Sequence, residues 1–185
     1  MNTKRVDIEF INKNIVSDHK QYILECEKNY KNQIYEATNN IIKKGGVKFV
    51  MLAGPSSSGK TTPSKILVEK LEENGLKALP ISLDDFFVER IDTPKWEDGS
   101  YNYESVDAID WRLFSKCMEE LLEGKPCFLP TYNFADGKKY FSNATSMHEN
   151  TIVIIEGLHA LNPVIDNFIP TTESYKIYIS VNSSL

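Results

Sequence analysis

The hydrophobic positions of the chain fall into short continuous runs and longer periodic segments. Runs rich in β-branched residues occupy positions 47–53, 151–155 and 175–181, and we expect a further strand at about 77–82. Predominantly apolar runs of this length are typical of strands that are buried on both faces of a sheet. The segments between them have apolar residues every three or four positions, which indicates helices. This alternation predicts an α/β fold with helices on both faces of a mostly parallel sheet.

The first periodic segment, at about residues 18–44, predicts a long amphipathic helix that ends at Gly45-Gly46. We expect its apolar seam to pack on the sheet of the same domain, although a partner helix or coiled coil would fit the same pattern. We predict an N-terminal extension at residues 1–46 and a core domain at residues 47–185. The seam consists of Tyr22, Cys26, Tyr30, Gln33 or Ile34, Ala37 and Ile41.

Capping and turn residues indicate the elements of the second half. A helix follows the first strand, and another begins after Asp107 as its N-cap and ends at Gly124. Residues 126–141 predict a β-hairpin that turns at positions 136–137. The segment at residues 84–104 is polar and aromatic and shows no period. It is too long for a simple connection, so we expect a functional loop.

The composition narrows the class of protein. With 185 residues, of which 41% are hydrophobic and 25% charged, the chain fits a globular domain. A net charge of −5 without a basic stripe argues against a nucleic-acid partner. No apolar run approaches the ~20 residues that span a bilayer, so no membrane partner is expected. Three cysteines without paired spacing and a polar start predict reduced thiols and a cytoplasmic location. The oligomeric state is left open, a homo-oligomer included.

Residues 54–61 match the phosphate-binding pattern G-x-x-x-x-G-K-[ST] at every fixed position. The motif lies between a predicted strand and a predicted helix, where backbone N–H groups and a helix N-terminus converge on phosphate oxygens. We therefore expect a nucleoside triphosphate here, with Lys60 on its β- and γ-phosphates and Mg²⁺ on the hydroxyl of Thr61. The residues expected to bind the nucleotide are Gly54, Ser56, Ser57, Ser58, Gly59, Lys60, Thr61 and Thr62.

Three carboxylates follow predicted strands, at the edge of an α/β sheet where ligands bind. Glu156 follows an apolar strand directly and could act near Mg²⁺, directly or through a water. Asp84 or Asp85 could accept the proton of an attacking hydroxyl, and either could instead form a turn at the strand end. The residues alone do not choose between these two aspartates.

Five motifs in the same order give the chain a resemblance to the uridine kinase and phosphoribulokinase family of P-loop kinases. The resemblance implies a three-layer α/β/α P-loop fold and transfer of the γ-phosphate of ATP to a hydroxyl in the presence of Mg²⁺. In uridine kinases the acceptor is the 5′-hydroxyl of uridine or cytidine. The motifs are GPSSSGKTT at 54–62, SLDDFF at 82–87, YNYESVDAIDW at 101–111, LPTYNF at 129–134 and VIIEGLHAL at 153–161.

The resemblance also implies roles for individual residues. Asp84 matches the catalytic aspartate, with Lys60 as its partner in catalysis, and Glu156 matches the acidic residue of the Mg²⁺ shell. Glu104 stands where the family usually has an aspartate that holds the ribose hydroxyls. The residues implied to contact the acceptor are Phe86, Phe87, Tyr103, Glu104, Tyr132 and Phe134.

Two features depart from the pattern of the family. The histidine that usually follows the Y-x-F hairpin motif and contacts the base is absent from residues 135–138. The arginine-rich lid that usually follows the last strand does not occur before residue 185, so we expect this chain to bind nucleotide but to turn over slowly. A kinase for a phosphosugar or another metabolite stays open. A nucleotide-dependent switch or sensor also stays open, although the chain lacks N-K-x-D and D-x-x-G motifs.

Overall fold

The computed structural model describes residues 8–55 and 60–180. Its centre is a sheet of four parallel strands, beside which lies a two-stranded antiparallel hairpin. The helices are α1 (Ile8–Lys44), α2 (Thr61–Glu73) and α3 (Trp111–Leu122). The strands are β1 (Phe49–Ala53), β2 (Lys77–Ser82), β3 (Pro130–Asn133), β4 (Lys138–Phe141), β5 (Thr151–Gly157) and β6 (Ser174–Tyr178). The order in the sheet is β2-β5-β1-β6, and β3 pairs with β4.

Alternate residues of the central strands enter two separate hydrophobic cores. Phe49 and Met51 of β1 belong to the core under α3, whereas Val50 belongs to the core under α1 and α2. Strand β5 divides in the same way, because side chains alternate across a strand. All five residues of β1 are buried. The predicted α/β fold with three layers and a mostly parallel sheet is therefore confirmed.

Helix α1 is longer than the sequence predicts and contains a kink. Asp18 leaves the helical conformation with φ −159° and ψ 89°, and its carboxylate accepts the backbone N–H of Gln21 at 3.0 Å. Asp18 thus caps the second part of the helix, which is the part that the hydrophobic period predicts. The turns before the cap, from Ile8, were not anticipated.

Only the last turns of α1 pack on the core. Thr38 and Ile41 are buried, and Ile34 packs against the same core, while Cys26 of the predicted seam is exposed. The expectation that the whole seam packs on the sheet is therefore wrong for its first part. The domain boundary at residue 46 stays a prediction. None of the described helices combines the length and apolar character needed to cross a bilayer.

The N-cap of α3 differs from the prediction. Asp110, rather than Asp107, accepts the backbone N–H of Leu113 at 3.0 Å. Asp107 lies one turn earlier in a short 3-10 helix, Val106–Ala108, where Ser105 accepts its backbone N–H. Two capping residues in close succession explain the error, since either fits the start of an apolar helical period.

The parallel register brings three strand ends to one edge of the sheet. Glu156 of β5 pairs with Leu52 of β1 on one side and with Ser82 of β2 on the other. The chain therefore leaves β1 and β2 within a few residues of Glu156. Because the connection after each strand starts here, this edge gathers the polar groups that the sequence singles out.

Candidate active site

The phosphate-binding motif connects β1 to α2. The ammonium group of Lys60, directly before α2, donates to the carbonyl oxygens of Gly54 at 2.9 Å and Pro55 at 3.0 Å. Thr61 and Thr62 follow in the first turn of α2, and both are exposed. Lys60 is thus folded back over its own loop, and the two threonines are exposed at the helix N-terminus. The predicted nucleotide-binding residues Ser56, Ser57, Ser58 and Gly59 lie outside the described residues.

Asp84 and Asp85 occupy one short 3-10 helix, Leu83–Phe86, but have different surroundings. Asp85 is half-buried, and its carboxylate accepts the backbone N–H of Tyr132 at 3.1 Å. It therefore attaches the hairpin to the edge of the sheet. The side chain of Asp84 makes no such bond among the described contacts and is exposed to solvent. The carboxylate of Asp84 is the one available for a ligand.

Charged groups from two other loops act on the carboxylate of Asp84. Desolvation of the carboxylate raises the pKa of Asp84. The charges of Lys60 and His159 lower it by less, so the pKa lies above its ordinary value. Burial also raises the pKa of Asp85, against the hydrogen bond from Tyr132, and the negative charge of Asp84 raises it further. Asp84 thus lies within electrostatic reach of the phosphate loop and of the loop after β5.

Close backbone contact brings the end of β5 against the aspartate turn. A Cβ atom at Gly157 would lie 2.8 Å from Cβ of Leu83, closer than real Cβ atoms approach. Glycine at this position therefore allows Glu156 and Asp84 to share one edge. Glu156 is partly exposed there, next to the last residue of the buried strand β5.

Four aromatic rings form a cluster beside the aspartates: Phe87, Tyr103, Tyr132 and Phe134. The ring of Phe87 lies 5.1 Å from Tyr103, 5.6 Å from Tyr132 and 5.8 Å from Phe134, all edge to face. Tyr132 and Phe134 are 4.9 Å apart in the same arrangement. Phe134 remains 53% exposed, while Phe87 and Tyr132 are buried. The rings come from three separate segments, and the family resemblance implies an acceptor contact for each of them.

One of the acceptor residues expected from the family resemblance lies elsewhere, and the role expected for Glu104 stays a prediction. Phe86 is fully buried and packs edge to face on Phe114 of α3 at 5.3 Å, so its expected place in an acceptor pocket is wrong. In a 3-10 turn adjacent side chains diverge, and only Phe87 faces the hairpin. Glu104 is exposed, and its backbone carbonyl receives the ring Nε2 of His159 at 3.0 Å.

Arg90 holds the tip of the hairpin, a contact that sequence reasoning missed. Its guanidinium donates to the carbonyls of Phe134 and, at 3.4 Å, of Ala135, and its Nε donates to the hydroxyl of Tyr103 at 3.5 Å. The hydroxyls of Tyr103 and Tyr132 are 3.4 Å apart. No local pattern signals these bonds, because Arg90 and Ala135 are 45 positions apart.

The pKa values of the Tyr103 and Tyr132 hydroxyls shift in opposite directions. Burial alone would raise the pKa of Tyr103, but hydrogen bonds with Tyr132 and Arg90 and the charge of Arg90 outweigh it and lower the value. Burial and the hydrogen bond to Tyr103 raise the pKa of Tyr132 to about 12. The guanidinium of Arg90 thus favours the ionised form of the Tyr103 hydroxyl, whereas Tyr132 keeps its proton to a higher pH.

The profile of the Phosphoribulokinase / Uridine kinase family matches residues 49–185. The chain belongs to this family. Uridine-cytidine kinase C of Dictyostelium discoideum is 32% identical over 128 residues, which cover 68% of this chain and 26% of that protein. Uridine kinase of Deinococcus deserti is 31% identical over 110 residues, covering 60% of this chain and 52% of that protein. The chain thus spans about half the length, or less, of these curated relatives.

A solved structure supports the same fold. The structure of a possible uridine kinase from Bacillus stearothermophilus matches with a TM-score of 0.66 and 21% identity, covering 83% of this chain and 82% of that one. At this identity the likeness establishes the α/β architecture. The family match begins at the first residue of β1, after α1, so α1 lies outside the matched region.

Proposed function

We propose that the chain is an ATP-dependent kinase that transfers the γ-phosphate to a hydroxyl of an uncharged metabolite, with the 5′-hydroxyl of uridine or cytidine as the favoured acceptor. The observation that carries this proposal is the exposed Asp84, which lies within reach of the charge of Lys60 and directly precedes Asp85, the residue that binds the hairpin. This arrangement would put a proton acceptor close to a triphosphate site and to a surface suited to a planar ring. Membership of the family supports the same reaction class.

The triphosphate would bind at the loop between β1 and α2. Lys60 now donates to two carbonyls of that loop and would turn to the phosphate oxygens when nucleotide binds. For Mg²⁺, the donor set fits: the Thr61 hydroxyl and the Glu156 carboxylate are hard oxygen ligands, and both residues keep solvent access at the same edge. The ion would neutralise negative charge on the phosphates during transfer.

Asp84 would accept the proton of the acceptor hydroxyl. As the proton leaves, the hydroxyl oxygen bonds to the γ-phosphorus, and the bond between that phosphorus and the bridging oxygen of ADP breaks. Desolvation prepares Asp84 for this step, because it raises the pKa and so makes the carboxylate a stronger base. Lys60 would offset the charge on the transferred group and hold it in line.

The acceptor would stack on the aromatic cluster. Phe134 offers an exposed ring, and rings of this kind bind planar heterocycles in edge-to-face or offset geometry. Two of the basic side chains near the cluster already have protein partners: Arg90 holds the hairpin, and Lys139 donates to Asp110 at 2.5 Å. A phosphorylated sugar would need such charges for its phosphate, so their engagement favours an uncharged acceptor over the phosphosugar alternative.

The test is ADP release from ATP and Mg²⁺ across a panel of uridine, cytidine, other nucleosides, ribulose 5-phosphate and pantothenate. We expect release to depend on a pyrimidine nucleoside and to disappear in Asp84→Asn. Dependence on ribulose 5-phosphate alone would replace the nucleoside with a phosphosugar. Nucleotide binding without any acceptor dependence would overturn the kinase proposal and favour a nucleotide sensor.

A further inference from the structure

Arg90 makes an unusually complete set of contacts with the hairpin. Its backbone N–H donates to the carbonyl of Gly137 at 3.0 Å, and its guanidinium donates to the carbonyls of Phe134 and Ala135. The carbonyls of two successive residues therefore accept hydrogen bonds from the two terminal nitrogens of the guanidinium. A guanidinium is suited to this, since its donors are fixed in a fork.

Gly137 makes room for Arg90. A Cβ atom at this glycine would lie 2.6 Å from Cβ of Arg90, 2.8 Å from its Nε and 3.0 Å from its Cζ. The arginine therefore fills the volume that a side chain at position 137 would need. Gly137 also has a φ of +74°, which other residues rarely adopt. The two residues are complementary: Gly137 has no side chain, and Arg90 occupies the space that a side chain there would need.

The hairpin depends on such outside contacts for its position. Two-stranded hairpins are marginally stable by themselves in water. Here β3 is attached to the sheet edge through Asp85 and Tyr132 at 3.1 Å, and the tip is attached through Arg90. Phe134 carries both the exposed ring and the backbone carbonyl that Arg90 binds. Arg90 thus acts at the point where the most exposed ring of the cluster joins the backbone.

We propose that Arg90 is a positioning residue that sets acceptor affinity, because it fixes the Phe134 ring and the Tyr103 hydroxyl relative to Asp84. This inference rests on the proposed function and goes beyond it by assigning the selectivity of the cluster to a residue that need not touch the acceptor. Without Arg90 the hairpin tip moves away, Phe134 loses its place against Tyr103 at 5.7 Å, and the stacking surface opens.

The first test compares Arg90→Ala and Arg90→Lys with Arg112→Ala, which removes an exposed arginine of α3. Hydrogen exchange of the backbone amides in residues 130–141 should accelerate in both Arg90 variants and stay unchanged in the control. The KM for uridine should rise by about 10–100-fold in Arg90→Ala, since charge-assisted hydrogen bonds of this kind are lost. The KM for ATP should change by less than about twofold, because the phosphate loop is untouched. Lysine keeps the charge without the fork, so its effect should be intermediate.

A second pair of variants separates the contact from backbone strain. Gly137→Ala and Gly75→Ala both place alanine at a positive φ, of +74° and +78°, but only the first meets Arg90. We expect Gly137→Ala to raise the KM for uridine and Gly75→Ala to leave it unchanged. Unchanged hairpin exchange in Arg90→Ala, or an equal rise of both KM values, would overturn the inference. If the wild type uses the acceptor and Arg90→Ala has an unaltered KM for uridine, this inference alone is overturned. If the wild type uses no acceptor, the proposed function is overturned.

Discussion

The backbone N–H of Tyr132 donates to the carboxylate of Asp85 at 3.1 Å, and this bond gives two adjacent aspartates different tasks. Asp85 joins the hairpin to the sheet edge, whereas Asp84 faces solvent within reach of the Lys60 charge. The residues alone do not distinguish the two aspartates, and only the family resemblance favours Asp84. Their separation follows from a partner 47 positions away, which no local pattern contains.

The two aspartates should respond differently to the same substitution. Asp84→Asn removes the proton acceptor, so we expect kcat to fall by about 10²–10⁴-fold with little change in nucleotide affinity. Asp85→Asn retains an oxygen that can accept the Tyr132 N–H, so activity and stability should persist. Asp85→Ala leaves that buried donor without a partner and should cost about 1–3 kcal/mol in the free energy of unfolding. Steady-state kinetics and urea unfolding measure both effects. Equal losses of kcat in the two asparagine variants would contradict the assignment.

The raised pKa of Asp84 predicts that activity and stability change in opposite directions with pH. Desolvation penalises its charged form, so the native state holds a proton at pH values where the unfolded state has lost it. The resulting stabilisation is complete below the unfolded pKa and is lost as the pH rises through the folded pKa. Activity needs the carboxylate and should rise over that same upper step.

Asp84→Asn should therefore raise the melting temperature near neutral pH while it abolishes turnover. The control is Asp98→Asn, because hydrogen bonds from Ser100 lower the pKa of Asp98 and reverse the sign. That carboxylate stabilises the fold at neutral pH, and its contribution disappears as the pH falls through its folded pKa. Melting curves from pH 3 to 8 would reveal both trends. A lower melting temperature for Asp84→Asn at neutral pH would exclude the proposed desolvation.

Lys60 should matter for nucleotide binding far more than for folding. Its bonds to the Gly54 and Pro55 carbonyls, at 2.9 and 3.0 Å, are available to be exchanged for phosphate oxygens. We expect Lys60→Ala to weaken ATP binding by about 10–100-fold, as loss of a charge-assisted contact does. Lys65→Ala, an exposed lysine one turn further along α2, is the matched control. Calorimetric titration with ATP and Mg²⁺ gives both affinities, and equal affinities would remove Lys60 from the site.

The sequence predicts most of the central sheet because its signal is local. Residues 152–155 are apolar at every position and lie within β5, which extends to Gly157. The run at residues 175–181 forms a strand, but β6 ends at Tyr178 and exposes Lys176 and Tyr178, so the expected burial on both faces is wrong there. The strand expected at about residues 77–82 coincides with β2, Lys77–Ser82. Strand ends, and with them the positions of Glu156 and Asp84 at one edge, follow from the parallel order. The phosphate motif is equally local, since its pattern and its flanking strand and helix are contiguous.

The parts that the sequence could not supply depend on distant contacts. Phe86 and Phe87 are identical in type, adjacent and both buried, yet the ring of Phe86 packs on α3 and the ring of Phe87 belongs to the aromatic cluster. Their positions depend on Phe114, which lies within α3, and on Tyr132, which follows that helix in the chain. The same limit applies to Arg90, whose partners lie in the hairpin. The direction of a side chain in a short turn is not encoded by its type.

Helix α1 allows a final prediction about where the folded core ends. Its period continues through the exposed Ile23, but only the last turns, around Ile41, have a sheet to cover. Ile41 is 1% exposed and Ile23 is 52% exposed, so identical truncations should differ in cost. We expect Ile41→Ala to lower the free energy of unfolding by about 2–5 kcal/mol and Ile23→Ala by less than about 0.5 kcal/mol. Urea unfolding of both variants decides the matter. A large loss in Ile23→Ala would mean that the exposed part of α1 is covered in solution by a surface outside the described residues.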